Sequence, residues 1–221
     1  MSIVMRASDQ RLSEADVRVV DAHQEIWRRC GRLGRLTWMG VPVLKHPVDL
    51  MAYQQIIFDT TPDVIIETGT HSGGSALFLA QMCEHVHHGR VISIDISPPT
   101  VVHPGHPRLT YLTGNSVDDS IIEVVDGIAR GQAGLVILDS DHTRQHVYTE
   151  MRLYRHLVAL DSYLIVEDTN INGHPIYPGH GPGPWEAVED FIADFGYEFQ
   201  IDGEREYLGT YNPRGYLKRI A

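Results

Sequence analysis

The chain has 221 residues, 43% of them hydrophobic and 21% charged, a balance that excludes a disordered or disulfide-stapled class and suits one α/β domain. Its 18 basic against 29 acidic side chains leave a net charge of −11, the wrong sign for gripping a phosphate backbone, so nucleic acid is not an expected partner. Two cysteines, Cys30 and Cys83, lie in apolar or helix-like surroundings and are expected to be reduced core thiols of a cytoplasmic protein.

The first residues lack the basic start and apolar run of an export signal, and no stretch approaches the roughly 20 apolar residues that span a bilayer. A soluble, unexported protein with no membrane partner is expected. Residues 13–29 place Val19, Ala22, Ile26 and Trp27 on one helical face behind a Ser13-x-x-Asp16 capping box, an amphipathic helix for packing, for a contact between copies, or for covering a ligand. From residue 64 the pattern changes to short apolar runs at 64–67, 91–96, 109–113, 135–138 and 163–166, the signature of buried parallel strands. The stretches 75–85, 120–130 and 145–157 have the length of crossover helices. The segments 197–201 and 215–220 suit a terminal antiparallel hairpin, completing a doubly wound, mostly parallel, seven-stranded sheet. One domain over 1–221 is expected, with 1–55 as an N-terminal helical extension and 56–221 as the core.

Ligands in such sheets bind beyond the carboxyl ends of the strands. After the first strand comes Glu67-Thr68-Gly69-Thr70-His71-Ser72-Gly73-Gly74-Ser75, whose glycines permit a tight turn opening into a helix N-terminus. It is neither a dinucleotide fingerprint nor a P-loop, and it reads either as a cofactor loop or as a plain strand-to-helix turn. Asp95 ends the second strand, where an acceptor can hold ribose hydroxyls, and Gly114-Asn115-Ser116 follows the third. The fourth and fifth strands deliver Asp139-Ser140-Asp141-His142 and Glu167-Asp168-Thr169-Asn170. Carboxylates crowded into one crevice repel unless a cation neutralises them, and Asp139, Glu167 and Asp168 form an all-oxygen set suited to Mg²⁺, or Mn²⁺ in its place. His142, with an ordinary pKa of about 6.5, is placed to take a proton from a metal-bound hydroxyl. The groups His85, His87, His88 and His103, His106 lack the partners of a zinc site and are expected as solvated loop histidines. The Gly- and Pro-rich run 173–184 is expected to form a flap over the site, followed by a helix that turns Trp185, Val188, Phe191 and Ile192 inward.

Taken in order, Lys45-His-Pro-Val-Asp49-Leu, Tyr53-Gln54, Ile66-Glu-Thr-Gly69-Thr-His-Ser-Gly-Gly74-Ser-Ala76, Leu138-Asp-Ser-Asp-His142, Val166-Glu-Asp168 and Gly181-Pro-Gly-Pro184 resemble the cephalosporin hydroxylase, or rhamnosyl O-methyltransferase, family over residues 38–195. The chain is similar, more distantly, to macrolide-sugar O-methyltransferases and to the catechol and caffeoyl-CoA type enzymes. The resemblance implies a class I, Rossmann-like methyltransferase fold. It implies S-adenosylmethionine held by Glu67, Gly69, Thr70, Ser72, Gly73, Gly74, Ser75, Asp95, Ser116 and Asp139, a divalent ion held by Asp139, Glu167 and Asp168, and His142 as base. Catechol-type sets end in Asn, whereas Glu167 and Asp168 are both acidic, which argues for a sugar or similar diol in a natural product such as an antibiotic. No two-His-one-carboxylate iron site is visible, so methyl transfer is preferred to oxygenation. The expected partner is a small acceptor with adjacent hydroxyls, and the protein is expected to form a homo-oligomer. Two other readings stand beside this one, a metal-dependent hydrolase and a non-catalytic accessory subunit of a two-protein system.

Overall fold

The computed structural model describes residues 12–31, 33–99 and 105–221. Ser13 caps helix α1 (Glu14–Arg29) through the capping box with Asp16 that the sequence suggests. A small antiparallel pair, β1 (Thr37–Trp38) and β2 (Val41–Pro42), leads into α2 (Pro47–Thr60), whose first-turn proline lacks the N–H that a helix start leaves unpaired. The remaining elements alternate: β3 (Val64–Thr68), α3 (Gly74–His85), β4 (Arg90–Asp95), β5 (Leu109–Thr113), α4 (Asp119–Ala129), β6 (Gly134–Leu138), α5 (Arg144–Tyr154), β7 (Tyr163–Val166), α6 (Pro184–Phe195), β8 (Phe199–Ile201) and β9 (Tyr216–Arg219).

The seven strands lie in the order β5-β4-β3-β6-β7-β9-β8, with β9 antiparallel to both neighbours and the other pairs parallel. The expected doubly wound sheet with a terminal antiparallel hairpin is therefore the observed one. Successive residues of β3 serve opposite faces: Val64 and Ile66 pack with Val125, Met151, Tyr154 and Phe191 of α4, α5 and α6, whereas Ile65 packs with Tyr53, Ile56, Phe78 and Leu79 of α2 and α3. Burial on both faces explains why these strands read as unbroken apolar runs. The chain reverses direction across the sheet between β3 and β6, the switch point where a crevice must open. Helix α2 runs through position 55 and sends Ala52, Tyr53, Ile56 and Ile57 into the β3 core.

Two expectations fail. Val19, Ala22 and Ile26 of α1 are exposed, and the side chain that this helix buries is Gln24, which donates to the Thr210 carbonyl at 2.8 Å and accepts from Asn170 Nδ2 at 2.9 Å. The helix docks by a polar contact because the surface beneath it is itself polar. Cys30 is exposed at the end of α1, so only Cys83 is a core thiol. His88 pairs with Asp63 at 2.7 Å and His106 with Glu84 at 3.2 Å, while His103 lies outside the described residues. Among the described residues no helix is long and apolar enough to cross a membrane.

Candidate active site

At the switch point the β3–α3 turn passes directly over the first residue after β6. Gly69 has φ +90°, and a Cβ there would lie 1.8 Å from the Asp139 carbonyl oxygen, so no side chain fits. Gly73, at φ +84°, caps α3 and points the first turn of that helix into the crevice. Asp95 accepts from the His71 N–H at 2.9 Å and from the Ser97 N–H at 3.0 Å, which ties the turn to the end of β4.

A cavity of about 670 Å³ opens here, lined by Gly69, Thr70, Ser72, Gly74, Ser75, Asp95, Ser116 and Asp139 of the predicted cofactor set, together with His142 and Asp168. Glu67 and Gly73 are not on its wall. Glu67 is fully buried behind the turn, where its Oε2 accepts from Ser93 Oγ at 2.6 Å, and burial pushes its carboxyl up despite the nearby Lys45 charge. Its place is to brace the turn through Ser93, which in turn meets Thr70 Oγ1 at 2.6 Å.

The acidic residues after β6 and β7 do converge, but not as the plain carboxylate trio the sequence suggests. Asp139, His142 and Asp168 offer ligand atoms within 4.8 Å of one another, with His142 Nε2 at 3.2 Å from Asp139 Oδ1 and 3.3 Å from Asp168 Oδ2. Glu167 lies outside that cluster. Its Oε1 forms an ion pair with Lys45 Nζ at 2.6 Å without hydrogen-bond geometry, and Lys45 also donates to Asp139 Oδ2. Lys45 is 3% exposed, and burial, which opposes its charge, is outweighed by Asp139, Glu167 and Glu67, so it stays an ammonium. Lys45 opens the first of the motifs that carry the family resemblance, but no local pattern gives it a role, because its partners lie more than ninety residues away.

Protonation follows from this arrangement. Burial raises the Asp139 carboxyl, but Lys45 and His142 hold it below the usual carboxylate range. Glu167 is driven well above that range by burial and by Asp139. Asp168 rises to about 6 through burial, partly offset by His142. His142 is opposed by burial, yet its bond to Asp139 and the charges of Asp168 and Asp139 take it to about 9. Without a bound ion, Asp139 and Asp168 hold the proton on His142.

The rest of the surround is structural. Asp141 accepts from the Thr143 N–H at 2.7 Å at the start of α5. The 173–184 loop lies against the same strand end, with the Pro182 carbonyl accepting from the Arg144 N–H at 3.1 Å. Trp185 at its end stacks on His174 at 4.1 Å, while Val188 and Phe191 turn inward as the sequence suggests.

Residues 32–220 match the family described as Rhamnosyl O-methyltransferase/CmcI. The chain belongs to this family. It is 36% identical over 192 residues to a rhamnosyl O-methyltransferase of Mycobacterium bovis (strain BCG / Pasteur 1173P2), covering 84% of this chain and 78% of that protein. Over 189 residues it is 36% identical to a rhamnosyl O-methyltransferase of Mycobacterium leprae (strain TN), covering 83% and 82%. Among solved structures, CmcI described with Mg and SAM superposes with a TM-score of 0.67 at 20% identity, covering 100% of this chain and 89% of that one. That likeness establishes the class I methyltransferase fold.

Proposed function

We propose that this family member is an S-adenosylmethionine- and Mg²⁺-dependent O-methyltransferase acting on a hydroxyl of a small sugar-bearing or polyhydroxy natural product, with a rhamnosyl group as the first acceptor to try. The observation that carries the reading is one continuous cavity running from the glycine turn to the Asp139, His142 and Asp168 cluster. A methyl donor and an acidic cation site must share a wall for metal-assisted transfer, and here they share Asp139. The names of the curated relatives support a rhamnosyl acceptor, and the structure of MycE with Mg, SAH and mycinamycin VI, matched at a TM-score of 0.52 over 76% of this chain, supports a sugar-bearing one.

The residues present fit both groups. The cavity walled by Gly69, Thr70, Ser72 and Ser75 has room for the methyl donor, and the N-terminus of α3 opens beside it. Asp139 and Asp168 are hard oxygen donors suited to Mg²⁺ or Mn²⁺, whereas Glu167, paired with Lys45, stands outside their cluster. A bound divalent ion would neutralise these carboxylates and acidify an acceptor hydroxyl. His142 is raised chiefly by those same carboxylates, so once they are engaged its Nε2 is free to take the acceptor's proton. Bound in that cavity, S-adenosylmethionine would supply the methyl group, its carbon–sulfur bond being the one lost, while His142 Nε2 would receive the acceptor's proton. Lys45 keeps Asp139 ionised, and separately, alignment of a bound donor with the acceptor hydroxyl would be worth roughly 7–11 kcal/mol. We further propose that copies associate through the exposed face of α1, on which Val19 has no cover among the described residues.

Methylation of a rhamnoside with and without chelator tests the reading. The expected outcome is loss of turnover in EDTA and recovery with Mg²⁺; undiminished activity in excess EDTA removes the metal. Calorimetry should find S-adenosylmethionine bound at micromolar affinity, and no binding by folded protein would favour the hydrolase alternative.

A further inference from the structure

Beginning at His46, the chain neighbour of Lys45, lies a cluster that packing alone does not explain. His46 and Tyr211 are 5% and 6% exposed, and their rings stack at 4.9 Å. The ring of Trp27 meets that of His46 edge-on, also at 4.9 Å. Among the described residues, neither nitrogen of His46, nor Tyr211 Oη, nor Trp27 Nε1 has a hydrogen-bond partner. Burying one such atom unpaired is costly, and a phenylalanine of nearly the same shape would fill the space without that cost. Four in one place call for a ligand that pairs them.

A recess of about 450 Å³, lined by His23, Ile26, Trp27, Arg35 and Leu36 among others, meets this cluster at Trp27. The cluster also adjoins the reacting groups. His46 follows Lys45 in the chain, the Tyr211 carbonyl accepts from the Asn170 N–H at 3.2 Å, and the neighbouring Asn212 Oδ1 accepts from the Asp168 N–H at 3.1 Å. In-line methyl transfer requires the acceptor to approach from the side opposite the donor, and the donor's side is taken by the glycine turn.

Resting on the methyltransferase reading above, we propose that Trp27, His46 and Tyr211 form the acceptor subsite, taking one ring of a neutral, hydroxylated sugar. Tyr211 and His46 pair with ring hydroxyls, and the indole of Trp27 covers an apolar face of the sugar. Burial depresses the His46 imidazole to about 4, so at neutral pH it carries one donor and one acceptor and no charge, as hydroxyl recognition needs and anion binding does not. Entry requires Trp27 to move outward with α1, a helix that buries only Gln24 of its own side chains. The same loose attachment lets it settle over a bound ring.

The test uses the full chain and methyl α-L-rhamnopyranoside as probe, titrated by saturation-transfer NMR against the parent, Tyr211→Phe and His46→Phe. The expected result is about tenfold weaker probe binding in each variant, with S-adenosylmethionine binding unchanged and thermal stability unchanged or raised, because an unpaired buried polar group has been removed. Variants that bind the probe as the parent does, or a parent that does not bind it, overturn the subsite. Calorimetry with S-adenosylmethionine on the same samples reads the methyltransferase assignment separately, so the two can fail independently.

Discussion

His142 carries two demands that pull its pKa in opposite directions. As a base it must be neutral near pH 7, yet in the metal-free site Asp139 and Asp168 raise it to about 9. A histidine whose folded pKa lies above its unfolded value adds stability that is fully present below about pH 6.5 and lost as pH rises through about 9. Chelated protein should therefore lose stability between those limits, and His142→Gln should flatten the loss. Denaturant midpoints across that window measure it, alongside the NMR titration of the imidazole. Saturating Mg²⁺ should bring the NMR midpoint down, since the carboxylates that hold the proton are then engaged. A midpoint near 6.5 in chelated protein would refute this account of the site.

At the level of elements, the strands and their crossover helices were legible because each is a local pattern, and the doubly wound arrangement explains that pattern by burying both faces of the sheet. The glycine turn and the acids after β6 and β7 were legible for the same reason, since strand ends define the crevice. Two things were not. The side of α1 that packs depends on Asn170 and Thr210, and no local periodicity reports contacts 146 and 186 residues away. Lys45 arrives on the β2–α2 connection, and its pairing with Asp139 and Glu167 appears only when the chain closes. Replacing one partner of a buried ion pair leaves the others uncompensated, at a cost of about 3–5 kcal/mol. Lys45→Met should lose about that much by urea denaturation in chelated protein, and Mg²⁺ should restore more stability to the variant than to the parent. A loss below about 1 kcal/mol would mean that Asp139 and Glu167 do not depend on the ammonium.

Across the whole molecule, α1 has an inner face and an exposed outer one, which the proposed association would use. The inner one, through Gln24 and Trp27, covers the polar cluster beside the acidic site. The outer one presents Ala15, Val19 and Ala22, all exposed and spaced at four and three, a short piece of heptad seam. In an antiparallel pair of copies, Val19 of one helix meets Ala22 of the other, and the flanking Arg18 and Glu25 face each other with opposite charge. Sixteen residues span about 24 Å, too short a seam for a tight dimer by itself, so association should be concentration-dependent unless other surfaces join. Val19→Asp should shift the mass measured by light scattering toward the monomer while the fold, read by circular dichroism, is kept. Because the same helix covers the proposed acceptor subsite, the monomeric variant should also bind the rhamnoside more weakly with its S-adenosylmethionine affinity intact. A parent that is monomeric at all concentrations, or a variant of undiminished mass, would remove the seam from the account.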